Sequence, residues 1–251
     1  MTEDRMTTMF FEMFTGLPRQ GPGDTASTLR ALSLVPGIGP HTRVLNPGGG
    51  TGLEARVIAQ NAPVRIVAID NHQQYVEEFN REAEALAVAH RVEAQLGDMH
   101  RLDFEPGSFD LIWCEGSIYV VGFEKGLRDW HRLLAPGGHL ALTDVCWRMP
   151  NPPAECREFW AQEYPAIRDV PSRLRTITEC GYEVIGHFPL PAAAWWDDYY
   201  GPLQQKITEF RAHHDGETDA QQLADSVQSE IDMWHKYSHS YGYDFFVMRR
   251  D

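Results

Sequence analysis

The sequence predicts an α/β fold: a Rossmann-like, doubly wound, mostly parallel sheet with helices on both faces. Three observations predict it. A short apolar strand, Thr42 to Leu45, runs into the turn Asn46-Pro47-Gly48-Gly49-Gly50-Thr51-Gly52 and then into a helical stretch from Leu53 to Gln60. A second strand, Val64 to Ile69, ends in the acid Asp70. Strand and helix then keep alternating as far as Asp144, the pattern of parallel strands joined by crossover helices.

The glycine turn and Asp70 together point to a ligand that carries a nucleoside. Residues without side chains let a ligand approach the backbone, and the helix N-terminus beyond them offers free N–H groups. An acid at the end of the second strand typically grips a ribose diol. Gly48, Gly50 and Gly52 follow a G-x-G-x-G spacing. Gly50-x-Gly52-x-x-Ala55 also suits a dinucleotide, so the loop alone leaves NAD open.

Composition narrows the partners. With 251 residues and 43% hydrophobic content, the chain can bury one large core. No apolar run is long enough to cross a bilayer, so no membrane partner is expected. Met1 to Thr8 is polar and lacks the regions of a signal peptide. The four cysteines form no C-x-x-C pair, which suits free thiols in a reducing cytoplasm. A net charge of −14, with lysine only at Lys125, Lys206 and Lys236, argues against a nucleic-acid partner.

The remaining elements follow in order. Met9, Phe10, Met13 and Phe14 recur at helical spacing, either as a core-facing helix or as a lid over the site. The stiff polar loop Gly16 to Gly23 behind them favours the lid. Asp24 or Thr25 caps a helix to about Leu34, which Pro36-Gly37 ends. Gln73 to Ala89 reads as a helix, Val92 to Leu96 as the third strand, and Gly97-Asp98-Met99-His100 follows it. Phe109 to Cys114 is the fourth strand, and Glu115-Gly116-Ser117-Ile118-Tyr119 emerges from it. Phe123 to Leu134 reads as a helix stopped by Pro136-Gly137-Gly138, and His139 to Asp144 is the fifth strand. Past Asn151-Pro152-Pro153 come helices at Glu155–Tyr164 and Pro171–Cys180, then a sixth strand, Tyr182 to Phe188. Leu203–His213 and Ala220–Lys236 read as further helices.

On these residues the chain resembles the class I S-adenosylmethionine-dependent methyltransferases. The matching features are Val44–Gly52, Asp70, Gly97-Asp98, Phe109-Asp110-Leu111-Ile112 and Leu133-Leu134-Ala135-Pro136-Gly137-Gly138. More narrowly, it is similar to bacterial type-11-like small-molecule methyltransferases. That likeness rests on Leu17 to Gly23, Glu115 to Tyr119, Phe123-Glu124-Lys125-Gly126-Leu127 and Tyr241-Gly242-Tyr243. The resemblance implies a seven-stranded sheet whose last strand, Tyr243 to Arg249, is antiparallel. One domain, 1–251, then comprises N-terminal lid helices at 1–41, a cofactor-binding core at 42–145 and a C-terminal part at 146–251. The last part carries a helical cap insertion at 189–240.

The resemblance implies S-adenosyl-L-methionine as cofactor and a small-molecule acceptor. It assigns Gly48, Gly50 and Gly52 to the methionine part and ribose, Asp70 with Asn71 to the ribose, and Asp98 with Met99 to the adenine. Arg19 or Gln20 is expected at the methionine carboxylate or the substrate, and Glu115 at the methionine end. In-line methyl transfer gains mostly from proximity and orientation, about 7–11 kcal/mol in good cases, and a general base is optional. Glu115 is the first candidate to orient the acceptor or take a proton, unless it is a solvated loop carboxylate. Tyr119 is expected along the methyl path. His100 is a further base candidate, and His139 and Asp144 are weaker ones.

Other readings remain at this point. A nicotinamide-dependent oxidoreductase on the same sheet leaves Asp98 and Pro136-Gly137-Gly138 unexplained. A binder of S-adenosylmethionine, or an enzyme using it for non-methyl chemistry, fits the same motifs. No metal is expected, although His235 and His239 lie four apart and His213-His214 lie nearby, because H-E-x-x-H and cysteine ligands are missing. Trp147, Trp160, Trp195, Trp196, Tyr199 and Tyr200 form either core or an apolar substrate pocket. Oligomer formation is left open. At Asn46 the sequence departs from the family, whose loop begins with an acid that helps hold the cofactor's ammonium group. Asn46→Asp is therefore expected to tighten cofactor binding.

Overall fold

The computed structural model describes residues 3–251. Its strands are β1 (Arg43–Pro47), β2 (Arg65–Asp70), β3 (Val92–Leu96), β4 (Phe109–Cys114), β5 (Leu134–Trp147), the two-residue β6 (Arg168–Asp169), β7 (Tyr182–Pro189) and β8 (Tyr241–Arg250). They form one sheet in the order β3-β2-β1-β4-β5-β8-β7, with β6 beside the end of β5. β1 to β5 pair in parallel, and β8 runs antiparallel to both β5 and β7. The expected seven strands are all present, and β6 is the one that the sequence pattern did not reveal.

Both faces of the sheet are covered, as a parallel sheet requires. On one face α2 (Thr25–Ser33), α3 (Leu53–Asn61) and α4 (Gln73–Ala85) supply Ala31, Ile58 and Phe79 against Ile66, Ala68 and Leu111. On the other, α5 (Ile118–Val121), α6 (Phe123–His131) and α8 (Val170–Glu179), with α7 (Ala154–Glu163) preceding the last, place Ile118, Leu127 and Ile177 against Leu45, Ile112 and Phe246. Because these strands are apolar on both sides, their sequences read as continuous hydrophobic runs.

Two boundaries differ from the sequence expectation. α4 ends at Ala85 rather than Ala89, where Ala87 takes a left-handed φ of 57°. α6 ends at His131 rather than Leu134, because Leu134 already pairs with Phe109 in the sheet. Pro136-Gly137-Gly138 is then a bulge inside β5: pairing jumps from Phe109↔Leu134 to Leu111↔His139.

Between β7 and β8 lie α9 (Ala193–Trp195), a π-helical turn (Trp196–Tyr200), α10 (Gly201–His213) and α11 (Thr218–Tyr237). Together with α1 (Glu3–Phe14) and α7 they bury a separate apolar cluster. Met9, Met13 and Phe14 of α1 enter it. So do Trp160, Trp195, Tyr199 and Tyr200, so these aromatics are chiefly core and not a ligand box. Among the described residues no helix is long and apolar enough to cross a membrane, and all four cysteines are buried and free.

Candidate active site

A cavity of about 510 Å³ opens at the carboxyl ends of β1 to β4, under α1 and the loop after it. This size lies within the usual range for small-molecule sites. Its floor is the glycine turn. Gly48 and Gly49 N–H groups both donate to the Ile69 carbonyl, at 2.8 and 3.3 Å, which pulls the turn across the end of β2. A Cβ on Gly49 would lie 2.7 Å from Asn46 Oδ1 and 2.9 Å from Ala68 Cβ, so only glycine fits this close approach. Gly52 does a different job. Its φ is +80°, and a Cβ there would sit 2.1 Å from the Phe79 ring, so it seats α3 on α4 behind the cavity wall.

Asp70 ends β2 as expected. Its Oδ2 accepts from Gly50 N–H at 2.8 Å and its Oδ1 from His72 N–H at 2.9 Å. Burial raises its pKa, and those two N–H donors hold it down. Each carboxylate oxygen keeps accepting capacity for a ligand hydroxyl. Asn71, Asp98, Met99 and His100 share the same stretch of cavity wall. Asp98 Oδ1 also accepts from His100 N–H at 2.8 Å, so this acid shapes its own turn as well. His100 lies at the β3 end, with β2 and β1 between it and Glu115 at the β4 end.

The β4 end carries a buried charged corner. Glu115 Oε2 accepts from Arg19 Nη1 at 3.1 Å, and the two side chains are 3% and 5% exposed. Glu115 Oε1 accepts from Thr28 Oγ1 at 2.7 Å and from Trp113 Nε1 at 2.9 Å. This corrects both readings of Glu115: it is neither a solvated loop carboxylate nor a free proton acceptor. Its Oε2 is committed to Arg19 and its Oε1 to Thr28 and Trp113. Arg19 Nε and Nη2 are buried without a partner beside the cavity, so the guanidinium keeps donors in reserve. Gln20 latches the loop down, its Oε1 accepting from Thr51 N–H and Thr51 Oγ1, both at 3.2 Å.

Sequence reasoning missed Glu54. It lines the cavity from the first turn of α3 and is 8% exposed. Burial, and next the Glu115 carboxylate, raise its pKa to about 7, while Arg19 pulls it down. A signal existed: an acid two residues beyond the last glycine of a loop whose usual acid is absent. Asn46, by contrast, does not reach the cavity. It is 1% exposed, its Nδ2 donates to the Trp113 carbonyl at 2.9 Å, and its Oδ1 has no partner.

The roof is aromatic. Phe10, Phe11 and Phe14 of α1 line it, while Met9 and Met13 of the same helix lie in the core. Tyr119 is 50% exposed, yet burial raises its hydroxyl pKa. It lines the cavity beside Val120 and Ser117. The weaker base candidates drop out. His139 sits at the opposite end of β5, paired with Leu111 and Arg249. Asp144 is 1% exposed and 2.6 Å from Arg173 Nη2. Of the histidines, His235 packs on the Trp196 ring, 4.7 Å between centroids. Glu12, His213 and His214 do bring ligand atoms within 4.8 Å of one another at the surface. There His214 Nε2 lies 3.0 Å from Glu12 Oε1, as an ion pair when the ring is protonated.

Comparison with known proteins follows the same lines. Residues 44–138 match the family model described as a methyltransferase domain. Tocopherol O-methyltransferase from Arabidopsis thaliana is 27% identical over 163 residues, 64% of this chain and 42% of that protein. The chain spans less than half the length of the first curated relatives it matches. A solved methyltransferase from Geobacter sulfurreducens, in complex with S-adenosyl-L-homocysteine, superposes with a TM-score of 0.82 at 22% identity, covering 97% of this chain and 98% of that one. The [4+2]-cyclase SpnF superposes with a TM-score of 0.76 at 20% identity, covering 98% and 93%. Residues 44–138 thus match a methyltransferase domain, and the fold is the one seen in solved S-adenosylmethionine-dependent methyltransferases.

Proposed function

We propose that the protein binds S-adenosylmethionine and transfers its methyl group to a small-molecule acceptor. The observation that carries the reading is Arg19: a 5%-exposed guanidinium beside the cavity, with two nitrogens unpaired. Such a group calls for an anion. The methionine carboxylate supplies one, while Asp70 suits the ribose diol and Asp98 with Met99 suits the adenine. Gly48, Gly49 and Gly50 leave their backbone bare to the ligand between these points.

When bound, the sulfonium supplies an electrophilic methyl group. The residues of this chain do the rest by placement. Glu115 fixes Arg19, Gln20 closes the lid loop on Thr51, and Phe10, Phe11 and Phe14 exclude water. The Tyr119 hydroxyl, kept neutral by burial, can orient an acceptor as a hydrogen-bond partner. The relief expected from the site is therefore proximity and orientation, with the acceptor entering already nucleophilic. The net charge of −14 disfavours nucleic acid as acceptor, and the buried free cysteines suit a cytoplasmic enzyme.

Titration calorimetry tests this. S-adenosylmethionine and S-adenosylhomocysteine should bind, and NAD should bind far more weakly. Asp70→Ala should cost about 1.5–3 kcal/mol, the range for hydrogen bonds to a charged group. Wild-type affinity in that variant would remove Asp70 from the ribose. Because a cyclase shares the fold, the assay with acceptor libraries should follow demethylated cofactor directly; its absence throughout would favour non-methyl chemistry.

A further inference from the structure

Position 46 is where the family's loop carries an acid, and here it is sealed. Asn46 lies behind Gly49, whose Cβ would already be 2.7 Å from Asn46 Oδ1, so no ligand group fits between them. The amide is neutral and donates to the Trp113 carbonyl. Yet the cavity still has an uncommitted acid at its methionine end. Glu54 lines the wall from the first turn of α3, next to the Arg19–Glu115 pair.

We propose that Glu54 has taken over the role of the missing acid and receives the ammonium group of the cofactor's methionine end. This rests on the S-adenosylmethionine reading above. The groups around Glu54 support it. Arg19 faces it from the lid loop, Glu115 and Cys114 from the end of β4, and the Asn46 amide from β1. Arg56, on α3 itself, is hydrogen-bonded to the Thr51 carbonyl, and of the acids it senses Glu54 most, then Glu82 and Glu78 of α4. Arg19 thus faces two carboxylates and is hydrogen-bonded to Glu115 alone. That leaves the buried Glu54 carboxyl, at the wall of the cavity, for a ligand cation. An ammonium beside a carboxylate completes the set: the carboxylate takes the spare Arg19 nitrogens, and the ammonium takes Glu54.

Two consequences follow. Burial and Glu115 raise the free Glu54 carboxyl to about 7, so it is about half protonated at neutral pH and an arriving ammonium expels that proton. The expectation that Asn46→Asp tightens binding is also reversed. An Asp there adds a third buried carboxylate beside Glu54 and competes with it for one arginine.

The test is calorimetry at pH 7 in two buffers of different ionisation enthalpy. The ligands are S-adenosylmethionine and methylthioadenosine, a thioether nucleoside without the amino-acid group. Wild type should release a substantial fraction of a proton on binding S-adenosylmethionine and none on binding methylthioadenosine. Glu54→Gln should lose tenfold or more in affinity for the first, lose the proton release, and keep its affinity for the second. Asn46→Asp should bind S-adenosylmethionine more weakly than wild type. The double variant Asn46→Asp/Glu54→Gln should bind no tighter than Glu54→Gln, because position 46 is sealed behind Gly49. Wild-type affinity in Glu54→Gln overturns the proposal, as does a double variant that recovers the loss. A wild type that binds methylthioadenosine and S-adenosylmethionine not at all overturns the methyltransferase reading itself.

Discussion

Glu115→Gln probes the charged corner most directly. The substituted amide oxygen can still accept from Thr28 Oγ1 and Trp113 Nε1, so two of the three Glu115 bonds survive. What changes is the side facing Arg19 Nη1, where an amide N–H₂ now meets a guanidinium. Both side chains are almost wholly buried, at 5% and 3% exposure, so water cannot screen the loss. Removing one partner of a buried pair costs about 3–5 kcal/mol, because the other is left uncompensated. Glu54 softens this. Freed from the Glu115 charge, it ionises and becomes a second counter-ion for Arg19, which sets the loss near the lower end, at about 3 kcal/mol. Urea unfolding at pH 7 measures it as a fall in midpoint with an unchanged slope. Adding Glu54→Gln should make the loss greater than the two single changes predict, since the relief is gone. A loss under about 1 kcal/mol, the value of an exposed pair, would show that Arg19 and Glu115 are not buried together in solution.

Three other outcomes are expected. Gly52→Ala should lower stability by about 3 kcal/mol or more, through a left-handed φ and a clash with Phe79, and an unchanged thermal midpoint would contradict the packing described. Saturating cofactor should slow hydrogen exchange from about Met9 to Gly23; unchanged exchange would make that segment ordinary packing and not a lid. The ligand-free protein should lose stability as pH rises from about 4.5 to about 7, by up to about 3 kcal/mol from Glu54, because the folded state holds a proton that the unfolded chain has released. Unfolding at pH 5 and pH 8 measures the drop, and an equally steep drop in Glu54→Gln would assign it to other groups.

The core of the fold was legible because its signals are local. The run from Val44 to Gly52, the acid ending β2 and the alternation up to Asp144 each depend on neighbouring residues alone, and β3 and β4 begin and end where the pattern puts them. β6 is two residues long and has no pattern to show. The bulge in β5 looked like a helix stop because Pro-Gly-Gly serves either purpose, and only the pairing with β4 decides which. At the site, Asp70 was legible as a residue type at a strand end. Glu115 was located correctly and given the wrong freedom, since its partners Arg19 and Thr28 lie 96 and 87 residues away in sequence. Glu54 was overlooked for the same reason. Its environment is made by groups from β1, β4 and the lid loop, none of them its neighbours in the chain.

The lid loop ties these parts together. Gly23 N–H donates to the Ala194 carbonyl of the cap at 2.9 Å, Gln20 bonds Thr51 of the glycine turn, and Arg19 bonds Glu115 at the end of β4. These anchors differ in strength. The Arg19–Glu115 bond is buried and charged, whereas both Gln20 bonds are neutral and 3.2 Å long. Neutral hydrogen bonds contribute about half as much as charge-assisted ones. The Gln20–Thr51 contact is therefore expected to open before the Arg19–Glu115 pair, which faster hydrogen exchange at Thr51 N–H than at Gly23 N–H would show.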